Sequence, residues 1–251
     1  MHLLRPGAAR RARHGGRRLS AERYELPPER LGRWLDRWAE AHAGIATWAV
    51  DDTGAVVTIR GADGSLLACE PPFPPSPELP PPPTASAAGP GAAIVAALVE
   101  HAARERTVGV LLVRLGGHAA GVFAGTRLTA SKTGSRLVHG RHRAGGSSSG
   151  RFARRRAGQA RVALQAAADV AAGILRTPAE RGELDAVVTG GDRTALATVL
   201  EDPRLVAVAA LVAARVLDVP DPRRAVLEGT PGAFRATVVR PSTPQGGYGQ
   251  P

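Results

Sequence analysis

Cysteine is nearly absent: the 251 residues hold one, Cys69, so no internal disulfide and no cysteine-only metal site can form, and a reducing cytoplasm is the expected compartment. Lysine is as scarce, with Lys132 the only one, so the use of arginine says less than where the charges lie. Long apolar runs are missing too. No stretch reaches the roughly 18 uninterrupted apolar residues a membrane helix requires. The first twenty residues carry six arginines but no apolar signal-peptide core. These absences predict a soluble cytoplasmic chain with no membrane partner. There is also no Walker loop, no GxGxxG after a strand and no GxSxG elbow, so no cofactor is expected.

One absence is local and says more. Between Arg106 and Ala168 there is no aspartate or glutamate, while eleven arginines and Lys132 fall in that window. The whole chain has a net charge of +11. A one-sided field of this kind favours an anionic partner.

What is present divides the chain. Residues 1–20 predict a disordered basic arm and 241–251 a frayed tail. PPERLGRWLDRWAEAHAG predicts a helix, with prolines at its start, Leu31, Trp34, Leu35 and Trp38 at helical spacing, and Gly44 at its end. The tryptophans are expected in a core rather than on a ligand platform. IATWAV, a DDTG turn, AVVTIRG and a short strand at Leu66 to Cys69 complete a small α+β module over 21–70. Residues 71–91 form a polyproline-like linker.

Residues 92–240 predict a larger domain. A helix over 92–105 precedes the strand TVGVLLVRL, a turn at Gly116-Gly117, and strands HAAGVFAG, RLTAS and SRLVHG. A helix from about Phe152 to Leu175, the strand LDAVVTGG, an Asp192-capped helix, a helix in DPRRAVLEGTPGAF and the strand RATVVR follow. The fold class is α/β (α+β): a mixed β-sheet flanked by helices, beside the small N-terminal module.

The stretch GRHRAGGSSSGRFARRRAGQAR, Gly140 to Arg161, stands at the centre of the acid-free window. At about 100° per residue, Ala153, Ala157, Ala160, Leu164, Ala167, Ala171 and Leu175 share one arc of the helix, while Arg151, Arg154, Arg155 and Arg161 share the opposite one. Guanidinium groups so crowded repel one another unless an anion intervenes, and RNA phosphates supply one. A solvated arginine face is the alternative.

Gly145 and Gly146 leave the loop backbone open. Ser147, Ser148 and Ser149 have no evident base to make one of them a nucleophile. Their hydroxyls and the loop N–H groups are instead suited to a sugar or to the oxyanion of an attacked ester. His139 and His142 lack a third ligand, so no metal is expected, and they add part-time positive charge. His118 is expected on a strand surface.

TASKTGSRLVHGRHRAGGSSSGRFARRR, with its lysine, glycine pair and RFARRR helix start, resembles the middle domain of eukaryotic and archaeal class-one release factors. It is more similar still to release-factor-like peptidyl-tRNA hydrolases of actinobacteria, relatives of the eukaryotic Vms-type factors. The resemblance covers roughly Thr107 to Arg240, and PPERLGRWLDRW is also similar to that branch.

A monomer is expected, and the resemblance implies action on the large ribosomal subunit and on peptidyl-tRNA. Its loop would enter the peptidyl-transferase centre and bring water to the ester joining peptide and tRNA. Lys132, Arg136, Arg141, Arg143, Arg151, Arg154, Arg155, Arg156 and Arg161 would bind RNA, and Gly145, Gly146, Ser147, Ser148 and Ser149 would form the catalytic loop. The family carries a glutamine right after the glycines or two or three residues later. Here Ser147, Ser148, Ser149 and Gly150 stand there, and Gln159 lies about two turns into the helix. The implied activity is therefore weakened hydrolysis or, alternatively, RNA binding without catalysis on the same scaffold.

Overall fold

The computed structural model describes residues 22–73, 91–114, 116–135 and 149–242, and for residues 149–156 the backbone alone. The expected basic arm, most of the linker, the loop from Arg136 to Ser148 and the tail from 243 onward lie outside the described residues.

Two five-stranded sheets carry the chain. The first is antiparallel. Its strands are β1 (Tyr24–Leu26), β2 (Ile45–Val50), β3 (Val57–Gly61), β4 (Leu66–Glu70) and β10 (Thr237–Ser242), in the order β1-β10-β4-β3-β2. The β2–β3 turn is built by Asp51, whose carboxylate accepts the N–H groups of Ala55 and Val56 at 2.7 and 2.9 Å. Helix α1 (Pro28–Ala41) starts on prolines that need no N–H partner there. It drives Leu31, Leu35 and Trp38 against Trp48, Ile59 and Leu67. Trp38 is thus a core residue, as its spacing predicts, together with Trp48 of β2, and Trp34 is half-buried with its ring centroid 5.7 Å from that of Tyr24. Cys69 lies in the same core, and burial pushes its thiol up to about 12.

Helix α2 (Gly91–Ala103) and β10, expected with the larger domain, contribute Ile94, Leu98 and Val239 to this first core. Strand β10 fills the edge β4 would otherwise expose, pairing Val239 with Cys69. His101 on α2 is buried, and its Nε2 donates to the Pro72 carbonyl at 2.8 Å, which fastens the helix to the exit of β4.

The second sheet is mixed, in the order β7-β6-β5-β8-β9. Strands β5 (Thr107–Arg114), β6 (Gly117–Ala124) and β7 (Arg127–Ser135) run antiparallel, while β8 (Ala186–Gly191) and β9 (Val212–Leu217) continue parallel to β5. In β5 and in β6, six consecutive residues are buried, as in a central strand covered on both faces. On one face lie helices α3 (Ser149–Ala171) and α5 (Arg193–Leu200); on the other, three of the four phenylalanines meet, with Phe234 edge-on to both Phe73 and Phe123. The chain leaves β8 through Gly191, at φ +104°, where a Cβ would collide with the Val113 carbonyl.

Helix α3 does not stop near Leu175. It passes through a π turn (Ala172–Arg176) into the short helix α4 (Thr177–Glu180). Pro178 gives the reason: it has no N–H for the Ile174 carbonyl, and widening the turn moves that carbonyl off its ring. The single helix expected in DPRRAVLEGTPGAF is two, α7 (Arg224–Glu228) and α8 (Pro231–Phe234), after a five-residue α6 (Val206–Ala210). Pro231 begins the second of them. Strands β1 and β9 have no counterpart in the sequence reading.

Candidate functional site

The thirteen residues 136–148 join the end of β7 to the start of α3. Register shows where they are rooted: Ser135 lies opposite Gly117, and Gly117 opposite Arg114. The root is therefore the carboxyl end of β5, beside the carboxyl end of parallel β8, where α/β sheets place their ligand crevices.

Strand β7, the edge on this side, has no fully buried residue, and Lys132 on it is exposed. Among the described side chains of helix α3, burial rises toward its far end. Ala157 and Arg161 are exposed, Ala160 and Leu164 half-buried, and Ala167, Ala171 and Leu175 buried. The apolar arc read from the sequence is thus a gradient, and Ala157 is not a packing residue. From Ser149 to Ala167 the helix rises about 27 Å at 1.5 Å per residue.

The packed end is pinned. Arg204 donates to Asp169 on α3 at 2.8 Å and to both oxygens of Asp202 at 2.7 and 2.9 Å. The Arg204 guanidinium and the Arg204 backbone N–H hold the Asp202 carboxyl down at about 2. Asp169 is also held below the ordinary carboxylate range, first by its bond from Arg204.

Of the residues expected at the site, Gly145, Gly146, Ser147, Ser148, Arg136, Arg141 and Arg143 lie outside the described residues, as do His139 and His142. Ser149 is the first residue of α3, and Arg151, Arg154, Arg155 and Arg156 occupy its first two turns, where the backbone alone is described. Lys132 and Arg161 are exposed, and neither has an ion-pair partner among the described residues. Arg114 meets Asp218 at 3.2 Å, but that carboxylate is 98% exposed and screens it weakly. Arg106 has a different role. Its guanidinium stands 5.2 Å over the Phe73 ring and donates to the His101 carbonyl, so it ties the two sheets together.

His118 corrects the sequence reading, which puts it on a strand surface. It is buried, with its ring where a Cβ on Gly134 would stand. Glycine at 134 is what lets β7 lie across it. Asp192 caps α5 as expected, accepting the Ala195 N–H at 2.9 Å. Among the described residues no group of three or more histidine, cysteine, aspartate or glutamate side chains could hold a metal ion. None of the helices there is long and apolar enough to cross a membrane.

Residues 106–240, just over half of the chain, match the family described as the Actinobacteria/chloroflexi VLRF1 release factor. The chain belongs to that family. The match opens at β5 and closes within β10, so it contains the loop, its root and the whole of α3.

Solved structures are more distant. An archaeal translation termination factor, aRF1, is 18% identical, covering 72% of this chain and 49% of its own, with a TM-score of 0.40. The Vms1 mitochondrial localization core is 10% identical over 82% of this chain and 80% of its own, at 0.36. Pelota of Archaeoglobus fulgidus is 15% identical over 82% and 60%, at 0.28. At these scores the likenesses carry no weight for function, and the chain spans about half the length of the archaeal factor. No curated protein matches the chain.

Proposed function

We propose that this chain is a cytoplasmic, ribosome-associated release-factor-like peptidyl-tRNA hydrolase, acting as a monomer on stalled large subunits. The observation that carries the reading is membership of a release-factor family over the segment that holds loop 136–148 and its helical arm. The acid-free window supports it, because exposed Lys132 and Arg161 lie in the two elements that flank the loop.

In this reading the arginines of the loop and of α3 take RNA phosphates, and the arm delivers Gly145 to Ser149 to the tRNA acceptor end. A water oxygen attacks the ester carbonyl carbon. The bond from that carbon to the ribose 3′ oxygen breaks, and the proton lost by water passes to that oxygen. Backbone N–H groups at Gly145 and Gly146, with the serine hydroxyls, face the oxyanion. A missing side-chain donor of this kind costs about 10² to 10³ in rate, so serine in place of the family glutamine makes for slow hydrolysis.

The test is release of labelled peptide from purified large subunits carrying peptidyl-tRNA. Slow release above background is expected, rising about 100- to 1,000-fold when Ser149→Gln or Ser147→Gln restores the donor. No release at saturating protein would leave the second reading, a large-subunit binder without catalysis, which the three serines favour.

A further inference from the structure

The root of the loop holds a cavity of about 200 Å³ that the family assignment leaves without a role. We infer that it receives a single unstacked nucleobase of the RNA partner; the inference rests on the RNA-binding reading above. Four elements close the cavity: the end of β5, the start of β6, the middle of α3 and the first turns of α5.

Size comes first. Cavities that enclose a whole drug-sized ligand run to about 300–1,000 Å³. This one is smaller and fits one ring system at the end of something longer.

Chemistry comes second. The α3 wall is apolar, formed by Ala160, Ala163, Leu164 and Ala167, and its small side chains leave room for a flat group. The opposite walls set a few polar groups among Val113, Ala195 and the glycines of the β5–β6 turn. His118 contributes a buried imidazole, and Asp192 and Thr194 stand at the start of α5. Asp192 spends Oδ1 on the cap, while Oδ2 makes no bond among the described residues. A carboxylate oxygen accepts from an exocyclic amine, which adenine, cytosine and guanine carry and uracil lacks.

Surroundings come third, and they decide between RNA and a peptide side chain. Arg114 lines the cavity, its ion pair among the described residues being with a fully solvated carboxylate, and Arg161 is exposed beside Ala160. No acid occurs between residues 106 and 168. A base that leaves its stack brings phosphates on both sides, and cations placed there meet them.

The test uses the full chain and the four nucleoside 5′-monophosphates, with the His118 ring and Ala163 methyl signals followed by NMR. AMP, CMP or GMP should shift both signals saturably in the millimolar range, UMP more weakly, and ribose 5-phosphate not at all. Ala163→Leu and, from the opposite wall, Thr198→Leu should abolish the shifts. Each should also weaken large-subunit affinity by about 5- to 150-fold, the range for one stacked base.

Equal shifts from ribose 5-phosphate, no shift from any nucleotide, or shifts from N-acetylphenylalanine amide alone would overturn the inference, the last in favour of a peptide. Should one variant fail to fold, the other and the native titration still decide. Subunit binding without nucleotide shifts ends this inference and leaves the proposed function standing. Nucleotide shifts that Thr198→Leu abolishes, in a chain that does not bind subunits, do the reverse.

Discussion

Arginines inside the window 106–168 and arginines outside it keep different company. Outside, Arg23 and Arg215 share Glu25, Arg235 meets Glu29, Arg240 meets Glu70, Arg224 meets Glu228, and Arg204 holds two aspartates. Inside, Arg114 meets only the exposed Asp218, while Arg127, Lys132 and Arg161 have no such partner among the described residues. The same residue type thus serves two ends. Where an acid is near in the fold, a guanidinium can join elements of the chain. Exposed Arg30 and Arg60 show that arginines without an ion pair among the described residues also occur outside the window, so it is the absence of any acid between 106 and 168 that sets the window apart. Helix α3 contains both conditions within its own length, with basic turns at the loop end and Asp169 at the anchored end.

The hardest way to strain that contrast is charge reversal at the loop end. Arg154→Glu with Arg155→Glu should remove large-subunit binding by roughly 100-fold or more at moderate salt and lower the slope of log affinity against log salt by about 2. Melting temperature should stay near that of the parent chain. The matching change outside the window, Arg224→Glu, should do little to either property. If both reversals weakened binding alike, the window would carry no special meaning. A smaller effect is expected at the anchored end. Arg204→Ala should lower the melting temperature only slightly, by about 2–4 °C at most. Subunit affinity should hold, because the loop end of α3 is untouched. Arg161→Ala should show the opposite pattern, with about threefold to tenfold weaker binding at unchanged stability.

How much of this was legible depends on whether the deciding contact is local. Strands β5, β6 and β8 show as apolar runs because both their faces are covered. Strand β9 is a half-buried edge with Arg215 inside it, so neither a run nor an alternation marks it, and β1 is only three residues long. RATVVR reads plainly as a strand, yet its neighbour β4 is some 170 residues away, and nothing local to either names the other. The flanks of the site were legible as charge, since charge needs no partner to be counted. His118 was not, because its burial is made by Gly134 of the next strand lying across it. The anchor of α3 was hidden for the same reason: Asp169 and Arg204 are 35 residues apart.

That anchor also provides the finest distinction between the two ends of α3, through pH. Asp202 and Asp169 both titrate lower in the folded chain than in the unfolded one, Asp202 at about 2 against an ordinary value of 3.8. A carboxyl lowered on folding contributes stability that is complete above its unfolded value and disappears as pH falls through its folded value. The contribution of the anchor should therefore be intact above about pH 4 and should fade between about pH 4 and pH 2. Thermal melts across that range should show the parent chain losing more stability than Arg204→Ala, in which the guanidinium that chiefly holds each aspartate low is gone and only the residue-204 backbone N–H and Gln165 remain. Parallel curves for the two chains would mean that Arg204 does not hold α3 to the 3-10 turn at Pro203–Leu205. The loop end, with no carboxylate of its own before Asp169, has nothing to titrate in this range. Acid should thus loosen the root of the arm while leaving the charge at its tip unchanged.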